Sequence, residues 1–152
     1  MHAADARQLA TQLMRQHLDD SWTFRWSTAR NTLGACNYDR RRISLSRPFA
    51  EHNDEPAVRD IILHEIAHAL TPPEVYGNRP HGHEWRVAAM KLGATPTTCQ
   101  DPRNIVVPPG RYEGRCPIDG CTTVTQRQRM TARAHNFICR THGESIVWTR
   151  NH

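Results

Sequence analysis

The stretch that most constrains this chain runs from Val58 to Leu70. Of the ten residues from Ile61 to Leu70, seven are apolar, and the other three are His64, Glu65 and His68. So apolar a segment reads as a helix buried on most of its circumference. Two imidazoles and a carboxylate inside it are costly unless something there needs them. The spacing indicates what that is. His64 and His68 are four apart, so on a helix they sit one turn apart on the same face, and both can reach one metal ion. Glu65, three before His68, is close enough to that face to hold a water beside the metal.

This is the H-E-x-x-H arrangement of zinc peptidases. From the chain's own His and Glu content, it should arise by chance only about 0.03 times in this length. Two structural histidines hydrogen-bonded in a core would leave the buried Glu65 unexplained. A catalytic zinc needs three protein ligands and one open position. The third ligand must come from elsewhere. Glu74, His81, His83 and Glu84 are all available, and composition does not choose among them.

The length of 152 residues suits one compact domain, or one domain with a small appendage. No apolar run is long enough for a membrane-spanning helix, and the first residues show no apolar signal region. An intracellular protein with no membrane partner, acting as a monomer, is the expectation. Five cysteines, an odd number, then argue for metal ligands or free thiols rather than a disulfide framework. The net charge of +5 is uneven. Residues 1–100 hold 12 Lys and Arg against 11 Asp and Glu, whereas residues 101–152 hold 8 against 4. A basic C-terminal third is compatible with a nucleic-acid partner.

Residues 3–18 read as an amphipathic helix, with Ala6, Leu9, Leu13 and His17 on one stripe and Ala10, Met14 and Leu18 beside it. Trp22, Phe24 and Trp26 alternate with polar residues, which predicts a strand with one buried face. Residues 34–47 read as two strands about a turn at Asp39, Arg40 and Arg41. Arg40, Arg41 and Arg42 form a solvated basic tip, and Cys36 is expected to be a buried small hydrophobe. Asn53 or Asp54 can cap the helix that carries the opening motif, and that helix must stop near Pro72 and Pro73. Residues 71–80 read as a loop. Trp85, Ala88, Ala89 and Leu92 recur at helical spacing, with Gly93 as the cap. Residues 94–110 contain four prolines and read as a connection, with Cys99 inside it.

The last segment carries a second constellation. Cys116 and Cys121 are five apart, Cys139 and His142 three apart, and 17 residues separate the pairs. This resembles a zinc ribbon, in which two knuckles meet at a tetrahedral ion. Three thiolates and one imidazole would hold a structural zinc. His135 is a weaker candidate for the fourth ligand.

Taken in order, the chain resembles the SprT-like metalloproteases, which include the Spartan proteases of DNA–protein crosslink repair. The matching residues are Leu33 to Cys36, Arg42 to Ser46, Ile61 to Leu70, the His-Gly-x-x-aromatic element His81, Gly82 and Trp85, and the C-terminal Cys/His segment. The resemblance covers roughly residues 5–150. It implies an α+β, zincin-like domain with an N-terminal helix, a small sheet and an active-site helix over residues 1–95. A proline-rich connection over 96–110 and a small zinc-ribbon-like β module over 111–152 would follow. In that family the third ligand is the histidine of His-Gly-x-x-aromatic, which carries over to His81. His83 falls on a variable position, and Glu84 would suit a different subclass. The family's usual ribbon has two Cys-x-x-Cys pairs. Here the first pair is stretched and the last ligand is His142.

The implied chemistry is peptide hydrolysis. Zinc on His64, His68 and His81 brings the pKa of its water toward roughly 7, and Glu65 is the catalytic base that takes the proton and delivers it to the leaving amine. Zincins hold an extended substrate against a sheet edge. The strand from Ile43 to Ser46 is the expected edge, with Tyr76 and His83 as candidates for a second oxyanion donor. The resemblance further implies two zinc ions, one catalytic and one structural, and protein substrates associated with or crosslinked to DNA. Arg127, Arg129, Arg133 and Arg140 would contact the DNA. Tyr112 and Phe137 could stack on bases, but core packing is the expected role. The competing readings are a non-catalytic DNA-binding or regulatory protein stabilised by zinc, and a peptidase with no DNA role. An intact Glu65 argues against the first, because a structural site has no use for a base.

Overall fold

In a computed structural model, which describes residues 1–77, 79–97 and 105–151, the apolar stripe of the first segment winds into α1 (Ala3–His17). Ala6, Leu9, Ala10, Leu13 and Met14 are buried along it, while His17 at the end of the stripe is exposed. The aromatic alternation forms β1 (Thr23–Ser27), where half-buried Phe24 and Trp26 meet edge to face at 5.1 Å. β2 (Gly34–Asn37) and β3 (Arg42–Ser46) form a hairpin about residues 38–41. The turn is braced. Arg41 N–H donates to Tyr38 O at 3.0 Å and Arg40 N–H to Asn37 Oδ1 at 2.9 Å, with Arg41 in the left-handed region at φ 42°.

The sheet order is β1-β3-β2, with β1 parallel and β2 antiparallel to β3. This corrects the expectation that Ile43 to Ser46 form a free edge. Ile43 and Leu45 are 0% and 1% exposed, and the most apolar strand takes the centre, where hydrogen bonds cover both its sides. The strand edges of this sheet are β1 and β2.

Three short helices were not anticipated. Ser46 ends β3 and caps α2 (Arg47–His52), its hydroxyl accepting from Phe49 N–H, with Pro48 in the first turn. α4 (Pro73–Tyr76) is a single turn inside the stretch read as a loop. α6 (Ala132–His135) lies in the C-terminal segment. The long helix α3 (Glu55–Leu70) is capped by the Asp54 carboxylate, which accepts from Ala57 N–H. It buries Val58, Ile61, Ile62, Leu63, Glu65, Ile66 and Ala67 and packs against α1, β2, β3 and α5 (His83–Leu92). α5 buries Trp85 and Ala89 and ends at Gly93, in the left-handed region at φ 80°. Asn53 ties residue 106 to this body, exchanging hydrogen bonds with both the N–H and the C=O of Val106.

The chain divides into two units, Met1–Pro108 and Pro109–His152. The second unit has an antiparallel sheet of order β5-β4-β6, built from β4 (Tyr112–Arg115), β5 (Val124–Arg127) and β6 (Val147–Arg150). Its small core is Cys116, Cys139 and Ile146, with Cys121, Phe137 and Trp148 packed against it. Cys99 lies outside the described residues. The whole is α+β, with helices and two small sheets, and no helix among the described residues is long and apolar enough to cross a membrane.

Ile66, 0% exposed at the centre of α3, sets the test of this core. Ile66→Ala should lower unfolding free energy by about 2–5 kcal/mol. Val75→Ala, at an exposed site on α4, should stay within about 0.5 kcal/mol. Urea titration of both variants measures the contrast.

Candidate active site

Helical spacing places His64 and His68 on one face of α3, and His81 reaches the same point from the turn before α5. His68 Nε2 lies 3.1 Å from His81 Nε2, and His81 Nε2 lies 3.2 Å from His64 Nε2. Around a tetrahedral zinc with Zn–N bonds of about 2.0–2.1 Å, neighbouring nitrogens sit about 3.3–3.4 Å apart. Both contacts fall on the His81 nitrogen, which offers either one proton or one lone pair, so hydrogen bonding alone serves the cluster poorly, and the three donor nitrogens lie within 4.8 Å of one another. The three histidines therefore fit a shared cation. Burial, with His81 adding to it, pulls His64 down to about 4. Burial and the other two rings pull His68 to about 4, and His81 is lowered by burial and by Arg86. All three stay in the neutral form that a metal requires. Trp85, 2% exposed, packs on all three rings, with centroids 4.7, 5.4 and 4.6 Å from His64, His68 and His81.

Glu65 is 7% exposed. Burial pushes its carboxyl up to about 7, while a hydrogen bond from the Cys36 backbone N–H works in the opposite direction. The strand register explains why that N–H is available. Ser46 N–H donates to Leu33 O, so the alternation of an antiparallel pair makes Ala35–Ser44 and Asn37–Arg42 bonded pairs. The backbone groups of Gly34 and Cys36 then face away from β3. The approach of Glu65 to this edge is close. A Cβ on Gly34 would stand 2.8 Å from Glu65 Cγ, Glu65 Oε1 and Ile61 Cγ2, so only glycine fits there.

These groups surround a cleft of about 400 Å³. Gly34, Cys36 and Tyr38 line it from the hairpin, His64, Glu65 and His68 from α3, and Arg79 and His81 from the following loop. Gly34 falls in a family-matching stretch of the sequence without an assigned role, and the sequence does not single out Tyr38. The available signal was the glycine itself, since glycine at a strand position often marks a close approach. Cys36 is half-buried on the cleft wall rather than in the core. Tyr76, His83 and Glu84 line a separate groove with Leu70 and Leu92. Neither Tyr76 nor His83 lines the histidine cleft, although Thr71 borders both. Glu74 is exposed on α4.

A second group forms in the C-terminal unit. Cys116 Sγ lies 3.5 Å from His142 Nδ1, Cys139 Sγ 3.7 Å from the same nitrogen, and Cys121 Sγ 3.8 Å from Cys139 Sγ. Tetrahedral zinc predicts about 3.8 Å between sulfurs and about 3.6 Å between sulfur and nitrogen. The Thr123 hydroxyl, with backbone N–H groups of His142 and Thr141, brings Cys139 down to about 5, toward the thiolate that binds metal. His135 is exposed and outside this group. Arg129, Arg133 and Arg140 are exposed. Arg127 is not: it is half-buried, its guanidinium 4.2 Å over the Phe137 ring. Phe137 also meets Trp148 edge to face at 6.3 Å, which fits the expected core packing. Tyr112 is half-buried and pairs across the sheet with Arg127 and Arg150.

A protein-family model described as the SprT-like family matches residues 3–104, which takes in α1 to α5 and stops short of the second unit. "Protein SprT" of Vibrio atlanticus is 30% identical over 100 residues, or 64% of this chain and 55% of that protein. "Protein SprT" of Vibrio parahaemolyticus is 33% identical over 101 residues, 65% and 56% of the two chains. The Pseudomonas fluorescens protein of the same name is 29% identical over 124 residues, 76% and 73%. The matches thus span little more than half the length of the two Vibrio relatives. No solved structure matches this chain.

Both donor groups are testable by metal analysis. Two equivalents of zinc per chain are expected. His81→Ala should remove one, and Cys116→Ser combined with Cys121→Ser should remove the other. A wild-type protein that retains one equivalent would eliminate one of the two centres.

Proposed function

The chain belongs to the SprT-like family, and we propose that it is a zinc-dependent endopeptidase acting on proteins associated with or crosslinked to DNA. One observation carries the peptidase reading: a buried carboxyl, Glu65, shares a cleft with three converging imidazole nitrogens. A purely structural metal site needs no such base, which weighs against a non-catalytic DNA-binding protein.

Zinc held by His64, His68 and His81 would supply a water of lowered pKa and polarise the scissile carbonyl. Glu65 takes the proton of the attacking water and delivers it to the leaving amine. Burial favours its protonated form, which suits a group that must take up a proton during the reaction. The Cys36 N–H fixes the carboxylate in position, and Gly34 leaves room for it. β2 takes the place first given to β3 as the substrate's docking edge. The outward N–H and C=O of Gly34 and the outward C=O of Cys36 can pair with an extended peptide beside Glu65.

The second unit is read as a zinc-ribbon-like module. Its three thiols and one imidazole supply a closed donor set. The excess of basic residues beyond residue 100, with Arg129, Arg133 and Arg140 exposed, supports contact with phosphates.

Glu65→Gln should abolish cleavage of a denatured protein substrate while zinc content stays unchanged. Surviving cleavage would remove Glu65 from the mechanism. Cleavage of a DNA-bound protein should accelerate with single-stranded DNA and slow as salt rises. A rate indifferent to DNA would leave a peptidase without the DNA role.

A further inference from the structure

Peptide hydrolysis builds negative charge on the carbonyl oxygen, and a donor aimed at that oxygen is worth a large part of the rate. Tyr76 and His83 line an adjoining groove, so the donors on the cleft wall itself are the nearer candidates. Among the described residues that line it, the Cys36 N–H is engaged by Glu65, and the Thr71 hydroxyl donates to Ala67 O at 2.8 Å. Tyr38 and Arg79 are the other side chains with strong donors.

Tyr38 is the better placed. Side chains at i and i+2 of a strand share a face, which puts Gly34 and Cys36 on the cleft wall, and Tyr38, the first residue of the turn after β2, lines the same cleft. The sizes are graded. Glycine admits Glu65, cysteine leaves space, and tyrosine closes one end. The Tyr38 backbone is also braced. Its carbonyl accepts from Arg41 N–H at 3.0 Å, and the same turn is closed by the 2.9 Å bond from Arg40 N–H to Asn37 Oδ1. Arg79 sits in an exposed loop between Gly77 and His81; its backbone bonds Gly77 O and Gly82 N–H, but its longer side chain loses more rotamer freedom on engaging a substrate than tyrosine's does.

We infer that the Tyr38 hydroxyl donates a hydrogen bond to the scissile carbonyl oxygen as it becomes an oxyanion; this rests on the peptidase reading above. The phenol is suited to donate and not to ionise. Burial, Cys36, Glu65 and Glu74 push it up to about 12, so it carries its proton throughout the neutral range. A donor fixed on a braced hairpin needs no reorganisation when charge develops, which is the condition for a strong electrostatic effect.

The test compares wild type, Tyr38→Phe and Arg79→Gln, all zinc-loaded, on one peptide substrate. Tyr38→Phe should lower kcat about 100-fold, with KM and zinc content unchanged. Its affinity for a phosphinic peptide, a tetrahedral mimic of the transition state, should fall by a similar factor. Binding of the uncleaved substrate, measured in a Glu65→Gln background, should not change. Unaltered kcat and phosphinate affinity overturn the inference, as does a loss confined to KM or one produced by Arg79→Gln instead. A zinc-loaded wild type that cleaves no protein overturns the peptidase reading and this inference together; a wild type that cleaves beside an unaffected Tyr38→Phe overturns the inference alone.

Discussion

A carboxyl group on a largely apolar helix is a liability unless something receives it, and for Glu65 the receiver is the backbone N–H of Cys36. The cleft is shaped by this close approach of Glu65 to β2. The bond exists because β2 is an edge strand whose Gly34 and Cys36 face away from β3. It is reached because Gly34 has no side chain in the path. Glu65 lines the same cleft as His64, His68 and His81. Were β2 central, its backbone groups would be committed to neighbours, and Glu65 would be buried without a partner at a cost of several kcal/mol.

Long elements were legible in the sequence and short ones were not, for a physical reason. α1, α3 and α5 span 15, 16 and 10 residues, enough for a helical period to show. α2, α4 and α6 span 6, 4 and 4, too few turns for any period to register. Alternation at Ile43 and Leu45 reported which face of β3 is buried, but not which strands flank it. Strand order is a tertiary property, and the mistaken expectation of β3 as a free edge came from there. Residue types alone left four candidates for the third imidazole partner, and family resemblance singled out His81. The structure sorts the same four by where they face: His81 lines the cleft, His83 and Glu84 line another groove, and Glu74 is exposed. Tyr38 was invisible because nothing in its neighbours' identities says that a hairpin end borders an active-site helix.

The two donor groups illustrate different routes to the same geometry. In the first unit, two donors come from one rigid helix, and only His81 has to be brought in, with Trp85 packed beneath all three rings. In the second, four donors come from two short loops on a small sheet, and the core is formed largely by the cysteines themselves. Removing the donors should therefore affect the units unequally. The first keeps an independent apolar core, while the second has little besides Ile146, Phe137 and Trp148 to replace what is lost.

A strand with an open side is also a hazard, because it can template pairing with any chain that drifts past. β2 limits that hazard in two ways. It is only four residues long, and one of its two outward N–H groups is already taken by Glu65. What remains can hold a few residues of extended backbone and no more. Selectivity at such an edge is conformational before it is chemical. Under the docking proposed for this edge, a stretch locked in a helix or inside a sheet would have no free backbone to offer, so loosened or unfolded segments would be the ones to enter.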